Sequence, residues 1–262
     1  MWIHFELFAR ISLIAWIFAV SLFIFRKSAL HIIAEILSLI GIVSLLYFTI
    51  SLWISLDRPP LRTLGETRLW YSLFLSVIGY ALYKRWKYRV FFVYALAMAL
   101  LFLGINYAKP DIHNKALMPA LQSIWFIPHV IVYILGYAFL GFATVLGITG
   151  LLHMKKKQET SKTLAEAENL VYIGYGFITF GLLFGALWAK EAWGHYWTWD
   201  PKETWALLTW GVYLVWIHMN YTKPYSHKFY FVFLILAFII LLLAWFGVNY
   251  LPAAQNSVHV YS

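Results

Sequence analysis

The sequence predicts an all-α polytopic membrane protein of about eight transmembrane helices, with both termini outside, and three observations predict it. Hydrophobic residues make up 63% of the 262 positions and charged residues only 12%. With a mean hydropathy of +0.73, that lies well away from the roughly 25% charged content of a soluble domain. Second, the apolar residues fall into eight runs, each near the ~20 residues that a helix needs to cross a bilayer. Third, the basic residues sort by loop.

The eight runs follow in order. Residues 8–25 carry one charge, Arg10, and residues 30–55 carry His31 and Glu35 near their start. Residues 67–83 hold only Arg68, and 90–107 hold no charge at all. The run 126–152 begins with Pro128 and His129, and 169–189 is again uncharged. Residues 204–221 are rich in tryptophan and tyrosine and contain His218, and 228–248 are the most aliphatic of all after Lys228. These runs use nearly the whole chain. No linker, low-complexity stretch or fixed-period repeat is left over, so residues 1–262 read as a single integral membrane domain.

A net charge of +9 would point to nucleic acid in a soluble protein, but its distribution here points to a lipid bilayer and to no nucleic-acid role. Loops after the first, third, fifth and seventh runs hold Arg26, Lys27, Lys84, Arg85, Lys87, Arg89, Lys155, Lys156, Lys157, Lys162, Lys223 and Lys228. That is twelve of the twenty Lys and Arg residues, which makes those loops cytoplasmic and leaves both termini outside. Met1 to Phe5 lacks a basic n-region and no small-residue cleavage site follows the first run, so the N-terminus reads as retained. There is no cysteine, hence no disulfide, thiolate ligand or thiol nucleophile, and any thiol chemistry belongs to a partner.

Between the sixth and seventh runs, residues 193–205 concentrate Trp193, Trp197, Trp199, Trp205 and Tyr196 in one outer loop. Tryptophans at a bilayer boundary commonly serve as anchors. This density exceeds anchoring, and Gly194 lets a ligand approach the backbone. Indole faces near histidines suit a flat, iron-bearing ring such as a porphyrin, and spacing leaves belt and ligand surface both open. Part of the loop is a helix start in its own right: Asp200 as cap, Pro201 at the first helical position, Glu203 three residues beyond the cap.

Of nine histidines, depth singles out three, because an intramembrane histidine is costly unless paired or functional. His129 lies at the outer mouth of the fifth run and His259 in the outer tail, so they are candidate axial ligands from two sides. His218 lies about 28 Å below Trp199 at 1.5 Å per residue and belongs to a separate inner site. His31, one turn from Glu35, is a second inner candidate or half of a hydrogen-bonded interface pair. His4, His113, His153, His195 and His227 are expected to be solvent-exposed, with His195 also placed to touch a ligand in the loop. Lys190, Lys202, Arg58, Arg62 and Arg68 are candidates to meet carboxylates or lipid headgroups.

The segment Trp193-Gly194-x-x-Trp197-x-Trp199-Asp200-Pro201-Lys202-Glu203-Thr204-Trp205-Ala206, followed by Leu208-Thr209-Trp210, resembles the tryptophan-rich WWD signature of CcsA-type (ResC-type) cytochrome c assembly proteins. The resemblance continues to Trp245-Phe246-Gly247-Val248-Asn249 and covers about residues 120–262; around His259 the tail matches only loosely.

This resemblance implies haem b held at the outer surface between His129 and His259, against Trp193, Gly194, Trp197, Trp199 and Asp200. It implies that His218 serves an inner haem iron with a companion from a CcsB/ResB-type subunit. It further implies delivery of haem from the cytoplasmic side and covalent attachment to the Cys-x-x-Cys-His segment of apocytochrome c. Cytochrome c haem lyase activity would belong to the complex, in the bacterial cytoplasmic membrane rather than the plastid thylakoid. The rivals are a haem exporter resembling CcmC or CcmF, and a transporter whose tryptophans are only anchors.

Overall fold

The computed structural model describes residues 2–25, 28–113, 123–222 and 225–251; His259 lies outside them. Among the described residues it contains eight α-helices and no strand. Six of the helices meet a length-and-hydropathy criterion for crossing a membrane: α1 (Phe5–Ile24), α2 (Ser28–Leu56), α4 (Arg89–Ala108), α5 (Phe126–Lys155), α6 (Ser161–Trp193) and α8 (His227–Trp245). The two that do not are α3 (Leu64–Trp86) and α7 (Pro201–Thr222). α3 carries Glu66, Arg68, Lys84 and Arg85 at its ends. α7 opens on Lys202, Glu203 and Thr204 and carries Thr209, His218, Asn220 and Thr222 further on. The protein is thus the polytopic helical membrane protein that its composition predicts.

The helices overrun the predicted runs where polar residues continue them beyond the apolar stretch. α6 is the clearest case, starting at Ser161 rather than 169. Its first turns hold Lys162, Glu166 and Glu168, and the Lys162–Glu166 pair is separated by one turn at 3.9 Å. A hydropathy window cannot register such a polar extension. α8 is shorter than predicted, because the chain tightens into a 3₁₀ turn at Gly247–Tyr250.

The chain divides into two compact units, Met1–Gln122 and Ser123–Ser262. In the first, α1 and α2 pack closely: Ser12 Oγ donates to the Gly41 carbonyl (2.9 Å) and Trp16 Nε1 to that of Ser38 (3.2 Å). α3 starts with a reciprocal cap. Glu66 N donates to Thr63 Oγ1 and Glu66 Oε2 accepts from Thr63 N. The Glu66 carboxylate is buried, and Arg58 grips it with two bonds of 3.0 and 2.9 Å. Arg58, a candidate to meet an external carboxylate, is therefore committed to an internal one.

His113 corrects the expectation of solvent exposure. It is buried in a 3₁₀ turn after α4, stacked on Trp2 at 3.7 Å, with Nε2–H donating to the backbone carbonyl and Oδ1 of Asn106. Burial pushes its pKa below the ordinary value, which favours the neutral ring. His153 and His227, also expected in solvent, are half-buried and bonded to Thr163 and Thr160 respectively. His31 bonds the Phe25 carbonyl through Nε2 and lies 3.5 Å from Arg89, whereas Glu35 accepts from Tyr83 and Lys84. The expected His31–Glu35 pair is replaced by these partners.

The second unit is an antiparallel set in which α5, α6, α7 and α8 follow one another through short connections. One end therefore collects the starts of α5 and α7 and the finishes of α6 and α8. α5 and α6 approach closely: a Cβ on Gly136 would stand 3.2 Å from the Gly174 carbonyl, and one on Gly174 would stand equally near that of Gly136. α7 leans on α8 through Trp216 Nε1, which donates to the Tyr230 carbonyl (3.0 Å).

Candidate functional site

His129 sits one turn into α5 and is half-buried. Its Nδ1 lies 2.9 Å from the carbonyl oxygen of Gly181 on α6. A carbonyl only accepts, so Nδ1 carries the proton and the basic lone pair is placed on Nε2, the arrangement in which an imidazole ligates a metal. The ring also stands edge-on to Tyr133 (4.9 Å) and tilted against Trp188 (5.3 Å). Both helices are shaped around it. A Cβ on Gly185 would come within 2.9 Å of His129 Cε1 and Nδ1, and one on Gly181 within 2.7 Å of the Tyr133 ring. Gly185→Val should therefore push the imidazole off the Gly181 carbonyl, which the ¹⁵N shifts of the His129 ring in the detergent-solubilised protein would register.

Trp188 is the residue that sequence reasoning missed. It is buried, touches His129 on one side and Trp193 on the other (5.0 Å), and so joins the histidine to the loop. It lies inside an apolar run, where one more tryptophan carries no signal. The i, i+4 spacings of His129 with Tyr133 and of Gly181 with Gly185 were the available signs of a close helix contact.

The loop is built from both of its helix ends. α6 stops at Trp193 because Gly194 takes a left-handed conformation (φ 86°), with its N–H donating to the Lys190 carbonyl. Lys190 returns a bond to the Gly194 carbonyl (2.8 Å) and lies 5.4 Å from the Tyr196 ring centre. α7 starts as predicted, at a reciprocal cap. Asp200 Oδ1 accepts from Lys202 N (2.9 Å), and Glu203 Oε2 accepts from Asp200 N (3.2 Å). Asp200, nominated as a haem neighbour, is buried and caps α7.

Glu203 does more than cap. The same oxygen takes the N–H of Thr198 (2.8 Å), so one carboxylate brackets Trp199 from both sides. Trp199 is held at φ 60°, a region costing a bulky residue of the order of 1–3 kcal/mol. The residue stays 67% exposed, and its ring meets that of Trp197 edge to face at 5.8 Å. Trp197 Nε1 is buried without a hydrogen-bond partner among the described residues. An indole N–H in that condition suits a carboxylate acceptor such as a porphyrin propionate.

His218 is exposed on α7, roughly 25 Å along the helix from the loop. The structure places it at the opposite end of the second unit from His129. His195 is exposed in the loop. Among the described residues no group of three or more His, Asp or Glu side chains converges as a metal cage. A haem iron would need only axial donors, since the porphyrin supplies the rest. The residues present fit a haem on three counts: the Nε2 lone pair of His129, the indole faces, and the unpartnered Trp197 N–H.

Fold and site together define a polytopic α-helical membrane protein carrying a histidine and an aromatic platform at one end of a helical unit. A model of the cytochrome c assembly protein family matches residues 4–254, and the chain belongs to that family. A CcsA cytochrome c biogenesis protein of Guillardia theta is 32% identical over 237 residues, 78% of each chain. Another, from Chlamydomonas reinhardtii, is 39% identical over 149 residues, 54% of this chain and 42% of that protein. Among solved structures, a cytochrome c haem lyase CcmF superposes with a TM-score of 0.68 at 19% identity, over 95% of this chain and 48% of that one. This last likeness is one of fold, and the chain spans about half of that protein's length.

Proposed function

We propose that this chain binds haem b at the loop end of its second unit and presents it for covalent attachment to apocytochrome c. The observation that carries the reading is the His129–Gly181 bond, which sets the proton on Nδ1 of a ring packed against Trp188, itself in contact with Trp193. His129 and His259 would hold the haem iron through ring nitrogens. Trp193, Trp197 and Trp199 offer ring faces, Gly194 leaves backbone room, and Trp197 Nε1 donates toward a propionate. Bound haem supplies an iron that takes axial nitrogens and vinyl groups that accept thiols. This chain's residues do the holding and orienting, and Asp200 and Glu203 keep the loop in the required conformation.

With no cysteine in the chain, the thiols would come from the Cys-x-x-Cys-His segment of the substrate, whose histidine would offer the haem a ligand of its own. His218 serves an inner haem with a companion histidine from a CcsB/ResB-type subunit, and haem lyase activity belongs to that complex. Charge sorting supports a cytoplasmic inner end and an outer loop with both termini outside, in a bacterial cytoplasmic membrane.

Membership of the family also fits an exporter that makes no thioether. Co-expression of this chain with its partner and an apocytochrome, and with no other assembly protein, separates the two. A haem-stained band that survives denaturing electrophoresis supports attachment, whereas a cytochrome that loses haem there supports export alone.

A further inference from the structure

Glu191 lies in the last turn of α6, where a negative charge faces the negative end of its own helix dipole, an unfavourable position. Its carboxylate is turned to another helix. Ser123, buried just ahead of α5, donates its Oγ–H to Glu191 Oε2. The same Oγ accepts from Trp125 N (3.1 Å), while the Ser123 carbonyl accepts from Phe126 N (3.3 Å). Ser123 thus orders the first turn of α5, whose cap position, Trp125, makes no side-chain capping bond. The Glu191 charge is delivered to the positive end of α5, where it is favourable. His129 follows within a turn, its N–H donating to the Trp125 carbonyl (3.2 Å). Trp193 follows Glu191 by two residues.

We propose that Glu191 is a positioning residue for the haem site: through Ser123 it straps the start of α5, and with it His129, to the end of α6 that carries the tryptophan loop. It touches neither the haem ring nor the iron. The inference rests on the haem reading above for its functional meaning, while the strap is a property of the chain itself.

The experiment uses the full-length chain in detergent, with and without added haemin. In the haem-free protein, Glu191→Ala and Ser123→Ala should each speed hydrogen exchange at the amides of Trp125 and Phe126. In the haem-loaded protein, each should raise the haem dissociation rate about tenfold, the low end of what contacts supporting a metal ligand are worth, and shift the reduction potential. Glu191→Gln keeps an acceptor oxygen for Ser123 and should restore slow exchange and slow haem dissociation, and the Glu191→Ala/Ser123→Ala double variant should be no worse than Ser123→Ala alone.

Unchanged exchange at Trp125 and Phe126 in Glu191→Ala would overturn the strap, as would additive effects in the double variant. Faster exchange without any change in dissociation or potential would overturn its role in the haem site. If the wild-type chain takes up no haemin at all, the haem reading fails and the positioning role with it, while the exchange data still decide the strap.

Discussion

Replacing His129 with alanine should abolish the low-spin absorption of haem bound to the purified chain and weaken haem affinity by at least about a hundredfold. Contacts that merely support a metal ligand are worth about 10–100-fold, so loss of the ligand itself should exceed that range. The substitution leaves the helix intact, since alanine is the best helix former. Its local cost is the loss of the bond to Gly181 and of the ring contacts with Tyr133 and Trp188. His129→Gly opens the same space, and added imidazole should restore part of the low-spin signal. Tyr133→Phe keeps the edge-on contact and should leave the spectrum as it is. A His129→Ala protein with an unaltered spectrum would remove this histidine from the site.

The second large effect concerns stability and lies in the first unit. Glu66→Ala should destabilise the protein by about 3 kcal/mol, the lower part of the range for breaking a buried ion pair. The carboxylate is 1% exposed and takes four donors: both terminal nitrogens of Arg58 and the backbone N–H groups of Arg62 and Thr63. Removing it strands a guanidinium and opens the cap of α3. Because Arg58 keeps 20% of its side chain in contact with solvent, part of its hydration can recover, which holds the loss at the lower end. The Arg58→Ala/Glu66→Ala pair should lose less than the sum of the two single variants. A denaturation midpoint in detergent measures this, and a Glu66→Ala loss below about 1 kcal/mol would contradict the buried-pair interpretation.

What the sequence makes legible is local. Apolar runs mark the helices because a bilayer forces each segment to satisfy its own backbone. Asp200, Pro201 and Glu203 announce the start of α7 because capping acts across three or four residues. Gly194 and the tryptophans mark the loop by density. The turns of α6 before residue 169 escape because charged residues extend a helix without adding hydropathy.

Other features depend on partners distant in sequence. His113 looks like a loop histidine until Trp2 and Asn106 enclose it. His129 is singled out by depth, yet its tautomer is set by Gly181, 52 residues away. Trp188, the link between that histidine and the loop, is hidden among apolar neighbours. The left-handed Trp199 is likewise invisible, since nothing in the sequence shows that Glu203 brackets it.

The most direct measurement is the absorption spectrum of the purified, full-length chain, as isolated and after titration with haemin. A Soret band with low-spin features that persist through gel filtration is the expected result. A chain that is folded and helical yet shows no Soret band under either condition would contradict haem binding at this site.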